Sequence, residues 1–280
     1  MIEYILIAIM QGLVEWLPIS SSGQVFIVAT NFLNISPDEA FSLSIWLHFG
    51  TMLAVLLKFR KDYLEVLKSF LPNRFKCDDI DIKKRNWLIF ATIGSAITAV
   101  PLYFLFKLII IEGFSAESGD VLTLIIAGLL IITGFVIIKF RKDYGYKNLK
   151  NVPKDVLIKD SLISGLAQGI SILPGISRSG FSTTSILLEN YEQKKALILS
   201  FLMSVPVIIA SIGVDILFGE GSIFGILDLF TIIVITLISF SVGYLTMNIL
   251  LKIANKIGFG YFCIIYGLVA LLILLPIIIL

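Results

Sequence analysis

Six apolar stretches recur along the chain, at residues 40–58, 87–107, 121–139, 195–214, 226–251 and 258–280. About 20 apolar residues carry an α-helix across the hydrocarbon core of a bilayer. Inside lipid every backbone polar group needs a partner within the protein, so only helices and closed barrels can span. A barrel would show alternating segments of about ten residues, and this sequence has none. Only 15% of the 280 residues are charged, against roughly 25% in soluble domains. The expected class is an all-α polytopic membrane protein. Membrane lipids surround it, and nucleic acid is not an expected partner, because the basic residues sit in short loops beside the spans. Cys77 and Cys263 show neither metal-ligand spacing nor a disulfide framework. Glu3 without a basic n-region argues against a cleaved signal peptide.

Two further apolar stretches are too short and too broken to span. Residues 1–17 are interrupted at Pro18-Ile-Ser-Ser-Ser-Gly23, and the chain resumes over 24–33. Residues 157–173 are interrupted at Pro174-Gly175 and resume over 179–189. Each reads as a re-entrant helical hairpin, 1–34 and 157–190, with a loop at membrane depth. Such a loop is tolerated only where protein or a wet cavity surrounds it.

The halves also share sequence. Gln11, Gly12, Ile19, Ser20, Ser22 and Gly23 recur, at a constant offset of 157, as Gln168, Gly169, Ile176, Ser177, Ser179 and Gly180. The expected organisation is one membrane domain of two repeats, 1–156 and 157–280, each a hairpin followed by three spans. Three crossings are odd, so the second repeat is inverted. Basic residues mark the cytoplasmic side of membrane proteins. Twenty of the 22 Lys and Arg fall in the loops of one side under this arrangement; Lys107 and Arg178 are the exceptions. Both termini then lie outside, and the two hairpin tips meet near the midplane, as in transporters built from inverted repeats.

An arginine at membrane depth costs about 2.5–3.5 kcal/mol by insertion scales, so Arg178 needs a partner or a ligand. Glu15 is the deep carboxylate of the other tip. A structural ion pair is the plainer reading, but it leaves the surrounding hydroxyls unexplained: Ser20, Ser21, Ser22, Ser177, Ser179, Ser182, Thr183 and Thr184. Placed after breaks, these open two short helices. Helix N-termini present unsatisfied N–H groups and a positive dipole end. Two such ends with an arginine between them describe a phosphate site. Gln11 lies one turn before Glu15 on the same face. Glu15 can act as acid or base, orient water, or hold a divalent cation; the residues alone leave these open. A lone histidine on an apolar helix, here His48, is as often a buried hydrogen-bonded residue as an acid or base. Pro101 and Pro206 read as kinks.

Glu15-Trp-Leu-Pro-Ile-Ser-Ser-Ser-Gly23, preceded by Gln11-Gly-Leu-Val, resembles the first signature of the undecaprenyl-diphosphate phosphatase (bacitracin-resistance protein) family, and Pro174-Gly-Ile-Ser-Arg-Ser-Gly180 resembles its second. Leu47–Val55 and Ser200–Pro206 resemble further family segments, in the same order along nearly the whole chain. The resemblance implies six transmembrane helices plus two re-entrant hairpins in the cell membrane, with the site opening to the outer side. It implies a hydrolase that converts a polyisoprenyl diphosphate lipid to the monophosphate carrier, recycling it for cell-envelope glycan synthesis. It also implies dependence on a divalent cation, Mg or Ca, with Glu15 at the essential acidic position and as metal ligand. Ser21 and Arg178 match the phosphate-handling pair. Gln11, Ser20, Ser22, Gln24, Ser177, Ser179, Ser182 and Thr183 would contact substrate. A homodimer is left open. Gln24 departs from the histidine usual there, and glutamine cannot shuttle a proton; either that histidine is dispensable, or His48 substitutes, or activity is reduced. Ser182 replaces a usual threonine and keeps the hydroxyl. The rival reading, favoured by the inverted repeat alone, is a transporter or flippase of polyisoprenyl phosphates.

Overall fold

A computed structural model describes residues 1–17, 20–33, 35–71, 77–106, 146–218 and 223–253, with scattered positions from 108 to 139 and Leu268. Most of the expected spans 121–139 and 258–280, and the tip residues Pro18 and Ile19, lie outside the described residues. Among those described, the regular structure is helical, with one isolated bridge between Lys147 and Tyr191. In chain order the helices of ten residues or more are α1 (Ile2–Val14), α2 (Ser21–Leu33), α3 (Pro37–Lys58), α4 (Arg60–Ser69), α5 (Asp79–Leu105), α6 (Lys154–Ile170), α7 (Arg178–Leu188), α8 (Gln193–Phe218) and α9 (Leu229–Ile253), with a single turn at Ile223–Ile226 before α9. Four of them, α3, α5, α8 and α9, are long and apolar enough to cross a bilayer. Their outer faces expose apolar side chains such as Ile97, Leu217 and Leu245, which is what lipid contact requires. The chain is a polytopic membrane protein.

Local chemistry fixes the helix starts. Ser36 caps α3 by accepting from the Glu39 amide at 3.4 Å, with Pro37 at the first helical position. Asp228 precedes α9 and accepts from the amide and hydroxyl of Thr231, at 2.9 and 2.7 Å. Residues 59–86, which lie between the expected spans 40–58 and 87–107, hold α4 and the first turns of α5. The polar face of α5 binds there: Lys84 reaches Asp62 at 2.8 Å and Glu65 at 3.0 Å, and Arg85 donates to the Ser69 carbonyl at 2.6 Å. Hydropathy alone could not register a helix whose first turns are charged.

Two close helix contacts hold the broken pairs in place. At Gly165 of α6 a Cβ would stand 2.2 Å from the Ala91 carbonyl oxygen of α5; at Gly169 it would stand 1.9 Å from the Thr98 hydroxyl. Only hydrogen fits at such spacing, and small residues drive helix association inside membranes. In the first pair Gly12 lies against Val242 and Gly243 of α9, and Thr246 donates to the Gly12 carbonyl at 2.6 Å. Two hydrophobic clusters flank the tips. One gathers Trp16, Trp87, Leu157 and Phe201; the other Ile7, Phe26, Phe41 and Tyr103.

Pro206 cannot donate to the Leu202 carbonyl. Tyr63 of α4 fills that vacancy, its hydroxyl donating to Leu202 at 2.5 Å, and the Gln168 amide donates to the next carbonyl, Met203, at 3.2 Å. Burial, with the Asp62 charge beside it, pushes the Tyr63 hydroxyl far above the usual phenol range, so it remains a donor. The hydrogen bond that α8 lacks at Pro206 is thus made good from α4, with α6 tied to the carbonyl beside it.

Beyond α7, the chain turns through Asn190, in the left-handed region at φ 65°. The segment at Tyr146 and Lys147 straps this turn: both amides donate to the Asn190 carbonyl at 2.9 Å, and Lys147 pairs with buried Asp160 at 2.9 Å. Burial and then the neighbouring Asp160 raise the Glu189 carboxyl above its ordinary value.

Candidate active site

The α1–α2 and α6–α7 tips meet. Ser20 adopts φ 56°, a left-handed conformation costly for a residue with a side chain. Its hydroxyl oxygen is used twice, accepting from Gly23 of its own helix at 3.3 Å and from Gly175 of the other tip at 3.0 Å. Glycine would relieve the backbone but lose both bonds. From the other side the Ser179 hydroxyl donates to the Leu17 carbonyl at 3.1 Å. Trp16 anchors the first tip by donating to the Gly243 carbonyl at 2.7 Å and packing edge-on against Phe201 at 5.3 Å.

Glu15, 4% exposed, is the hub. Its Oε1 pairs with Arg178 Nη2. Its Oε2 accepts from the Gln11 amide at 2.7 Å and from the Ser21 hydroxyl at 2.5 Å. His48 Nε2 stands 3.3 Å from the same oxygen, while His48 Nδ1 lies 2.6 Å from the Ser44 carbonyl. A carbonyl only accepts, so Nδ1 carries a proton. The Nε2 contact is then attractive only if one more proton lies between His48 and Glu15. A buried charge needs such a set of partners.

Above this hub lies a recess of about 710 Å³, counting the space at its mouth, lined by Glu15, Ser20, Ser21, Ser22, His48, Ser177, Arg178 and Ser179 among others. Its floor holds the N-termini of α2 and α7, each capped by a serine: Ser177 accepts from Gly180 at 3.2 Å, as Ser20 does from Gly23. These starts add positive dipole ends to Arg178. Gln11 stands behind Glu15 and outside the lining. Gln24, Ser182 and Thr183, expected at the substrate, do not line the recess either. Gln24 is buried one turn further along α2. Ser182 instead donates to the Arg178 carbonyl at 2.7 Å and meets Ser200 at 2.6 Å. Ser44, Gln168, Ser171 and Ser211 line the recess without having been singled out for it. Gln168 carried a signal, recurring at the 157-residue offset from Gln11, and Ser171 closes α6 in the same tip; Ser44 and Ser211 lie on other helices and had none.

Across residues 4–272 the chain matches the family model described as "Bacitracin resistance protein BacA". It belongs to the BacA family. Among its relatives, the undecaprenyl-diphosphatase of Methanothrix thermoacetophila is 37% identical over 270 residues, covering 96% of this chain and 95% of the relative. That of Methanococcoides burtonii is 37% identical over 275 residues, covering 96% and 97%. That of Methanopyrus kandleri is 32% identical over 272 residues, covering 96% and 94%. The two motifs that bracket the hub, Glu15–Gly23 and Pro174–Gly180, thus lie within the BacA match.

As for a divalent cation, no group of three His, Cys, Asp or Glu side chains among the described residues could form a cage. The donor set, one carboxylate ringed by hydroxyls, fits only a cation that brings most of its ligands as phosphate oxygens and water.

Proposed function

We propose that this BacA-family chain hydrolyses an undecaprenyl-type polyisoprenyl diphosphate to the lipid monophosphate and inorganic phosphate. The observation that carries the reading is the Glu15 hub, where one carboxylate receives a serine hydroxyl, an arginine and a histidine beneath a recess walled by two helix N-termini.

The terminal phosphoryl group sits against the α7 N-terminus, with the remaining donors of the Arg178 fork on its oxygens. Charge moving onto those oxygens in the transition state meets fixed positive groups. The hydroxyl at base distance from Glu15 is that of Ser21, which makes Ser21 the nucleophile. Its oxygen attacks the terminal phosphorus and its proton passes to Glu15. The bond to the bridging oxygen breaks and the lipid monophosphate leaves. Water then attacks the phosphoserine: the proton that Glu15 took returns to the Ser21 oxygen as its bond to phosphorus breaks, the freed carboxylate takes the proton of the water, and phosphate leaves. A phosphate leaving group carries its own charge, so strong protonation is not required, and a glutamine at position 24 is compatible with turnover. His48 holds the proton next to Glu15 and takes it up between cycles. A divalent cation, when bound, neutralises diphosphate charge, and Glu15 is the carboxylate available to it.

The wider arrangement we read as two inverted repeats, 1–156 and 157–280, with six spans, both termini outside and the recess open to the outer side of the cell membrane. The charge distribution supports that orientation. The decisive experiment is phosphate release from undecaprenyl or farnesyl diphosphate by purified protein, with and without EDTA. Release by the wild type and its loss in Glu15→Gln and Arg178→Ala are expected; no release by the wild type, or equal release by both variants, overturns the reading. Rapid-quench detection of phosphorylated Ser21 tests the nucleophile, and normal turnover by Ser21→Ala would assign that part to water.

A further inference from the structure

A second, apolar groove opens beside the recess. It runs between α5 and α8 and encloses about 440 Å³, counting its open side. Small side chains carve it, chiefly Ala96 and Ala99 from α5 and Ala210 and Ser211 from α8. Ala99, Ile172, Val207 and Ser211 line both the groove and the recess, so the two are continuous. On the outer rim Ala96, Val100 and Ala210 are exposed on the apolar surface of two spanning helices. The groove therefore connects the recess to the lipid phase sideways.

Among the described residues, two neighbouring directions within the membrane are closed. α5 is fixed to α6 at Gly165 and Gly169, where backbones meet without room for a methyl group. Toward α3 the recess ends at Phe41, whose ring packs against Tyr103 at 6.0 Å and Phe106 at 5.2 Å. Tyr103 is also the end wall of the groove.

We propose that this groove is the subsite for the proximal part of the substrate's prenyl tail. The proposal rests on the diphosphate reading of the recess and adds where the chain leaves it. An apolar cleft joined to a polar recess matches an amphiphile with a charged head and a hydrocarbon tail. The groove is too small for a long polyprenyl chain, so the distal units lie among the membrane lipids. Recognition then depends on the first isoprene units and becomes insensitive to further length.

The test fills the groove from its exposed rim, away from the recess. Ala96→Phe and Ala210→Phe are compared with Ile97→Phe, which adds the same bulk on the lipid face of α5 outside the groove. The readout is the ratio of kcat/KM for farnesyl diphosphate to that for isopentenyl diphosphate. Both groove variants should lower this ratio about tenfold or more, the scale of lost apolar pocket contacts, while Ile97→Phe leaves it unchanged. An unchanged ratio in both groove variants overturns the proposal and leaves the groove to a bilayer acyl chain. Binding supplies a readout without turnover: farnesyl monophosphate should protect the wild type against heat more than isopentenyl monophosphate does, and the groove variants should lose that difference. Failure of the wild type to release phosphate while this binding difference persists would remove the phosphatase reading and keep the tail subsite. Loss of the binding difference in all three variants alike would overturn the subsite.

Discussion

Ser21 and Arg178 stand at matched positions in the two tips, at the 157-residue offset at which six tip residues recur. Each is the first residue of a short helix, α2 or α7, and each follows a serine that caps the amide three residues on. Both donate to Glu15, one to each carboxylate oxygen. The scaffold is therefore shared and the chemistry is divided: one copy presents a small hydroxyl, the other a fixed positive charge. The carboxylate has no counterpart, because Ile172 stands at the equivalent position. A tip copied without change would put two serines, or two arginines, around the same point. Different residues at two matched positions, 21/178 and 15/172, make an asymmetric site from two helix starts of the same form.

The most direct way to break this division is to remove its charges. Arg178→Ala should reduce kcat by about 10²–10³-fold, the usual cost of one preorganised electrostatic donor, in steady-state phosphate release. Glu15→Gln keeps the shape but loses the base and should cost about 10²–10⁴-fold. Next comes the other member of the matched pair. If Ser21 only orients Glu15, Ser21→Ala loses one hydrogen bond and about tenfold in rate; as nucleophile its removal approaches the Glu15 effect, and comparison of the two single-turnover rates separates these. His48→Gln should flatten one limb of the pH–rate profile, because the proton held next to Glu15 is gone.

Stability tests the scaffold that the tips share. Gly12 and Gly169 stand at the same 157-residue offset, each at a close helix contact. Gly169→Ala meets the Ser95 carbonyl oxygen at 2.4 Å, whereas Gly12→Ala meets its nearest neighbours at 2.8 Å. Overpacking costs about 1–3 kcal/mol, so Gly169→Ala should lower the melting temperature in detergent further than Gly12→Ala. The smallest effect belongs to Glu189. Its carboxyl is raised in the folded state, first by burial and then by Asp160. Its stabilising share is therefore complete below the ordinary carboxylate value and is lost as pH rises through the elevated one. Glu189→Gln should remove that part of the slope of melting temperature against pH.

Much of the site could be read from the chain because charge is conspicuous in an apolar sequence. Arg178 and Glu15 stand out on energetic grounds alone, and the Pro, Gly and Ser breaks mark where helices restart. Less could be read where one helix face had to be chosen. Ser182 and Thr183 share the polar run with Ser177 and Ser179, yet only the latter pair lines the recess, since a short helix after a break carries no apolar stripe to fix its rotation. His48 was ambiguous for the same reason: nothing in α3 indicates which of its faces meets the first tip. The extension of α5 back to Asp79 was hidden because its polar turns are held by α4 and not by lipid.

The sequence by itself determined the class, the four described spanning helices, the two breaks and the residues that must be neutralised at depth, because bilayer thickness and the cost of a buried charge act on any chain. Tertiary structure decided which groups share the Glu15 carboxylate, that Tyr63 and Gln168 donate to the carbonyls before Pro206, and that the recess continues into a groove between α5 and α8. Those depend on how helices distant in sequence rotate and approach one another. That approach is set by where two helices lack side chains large enough to hold them apart.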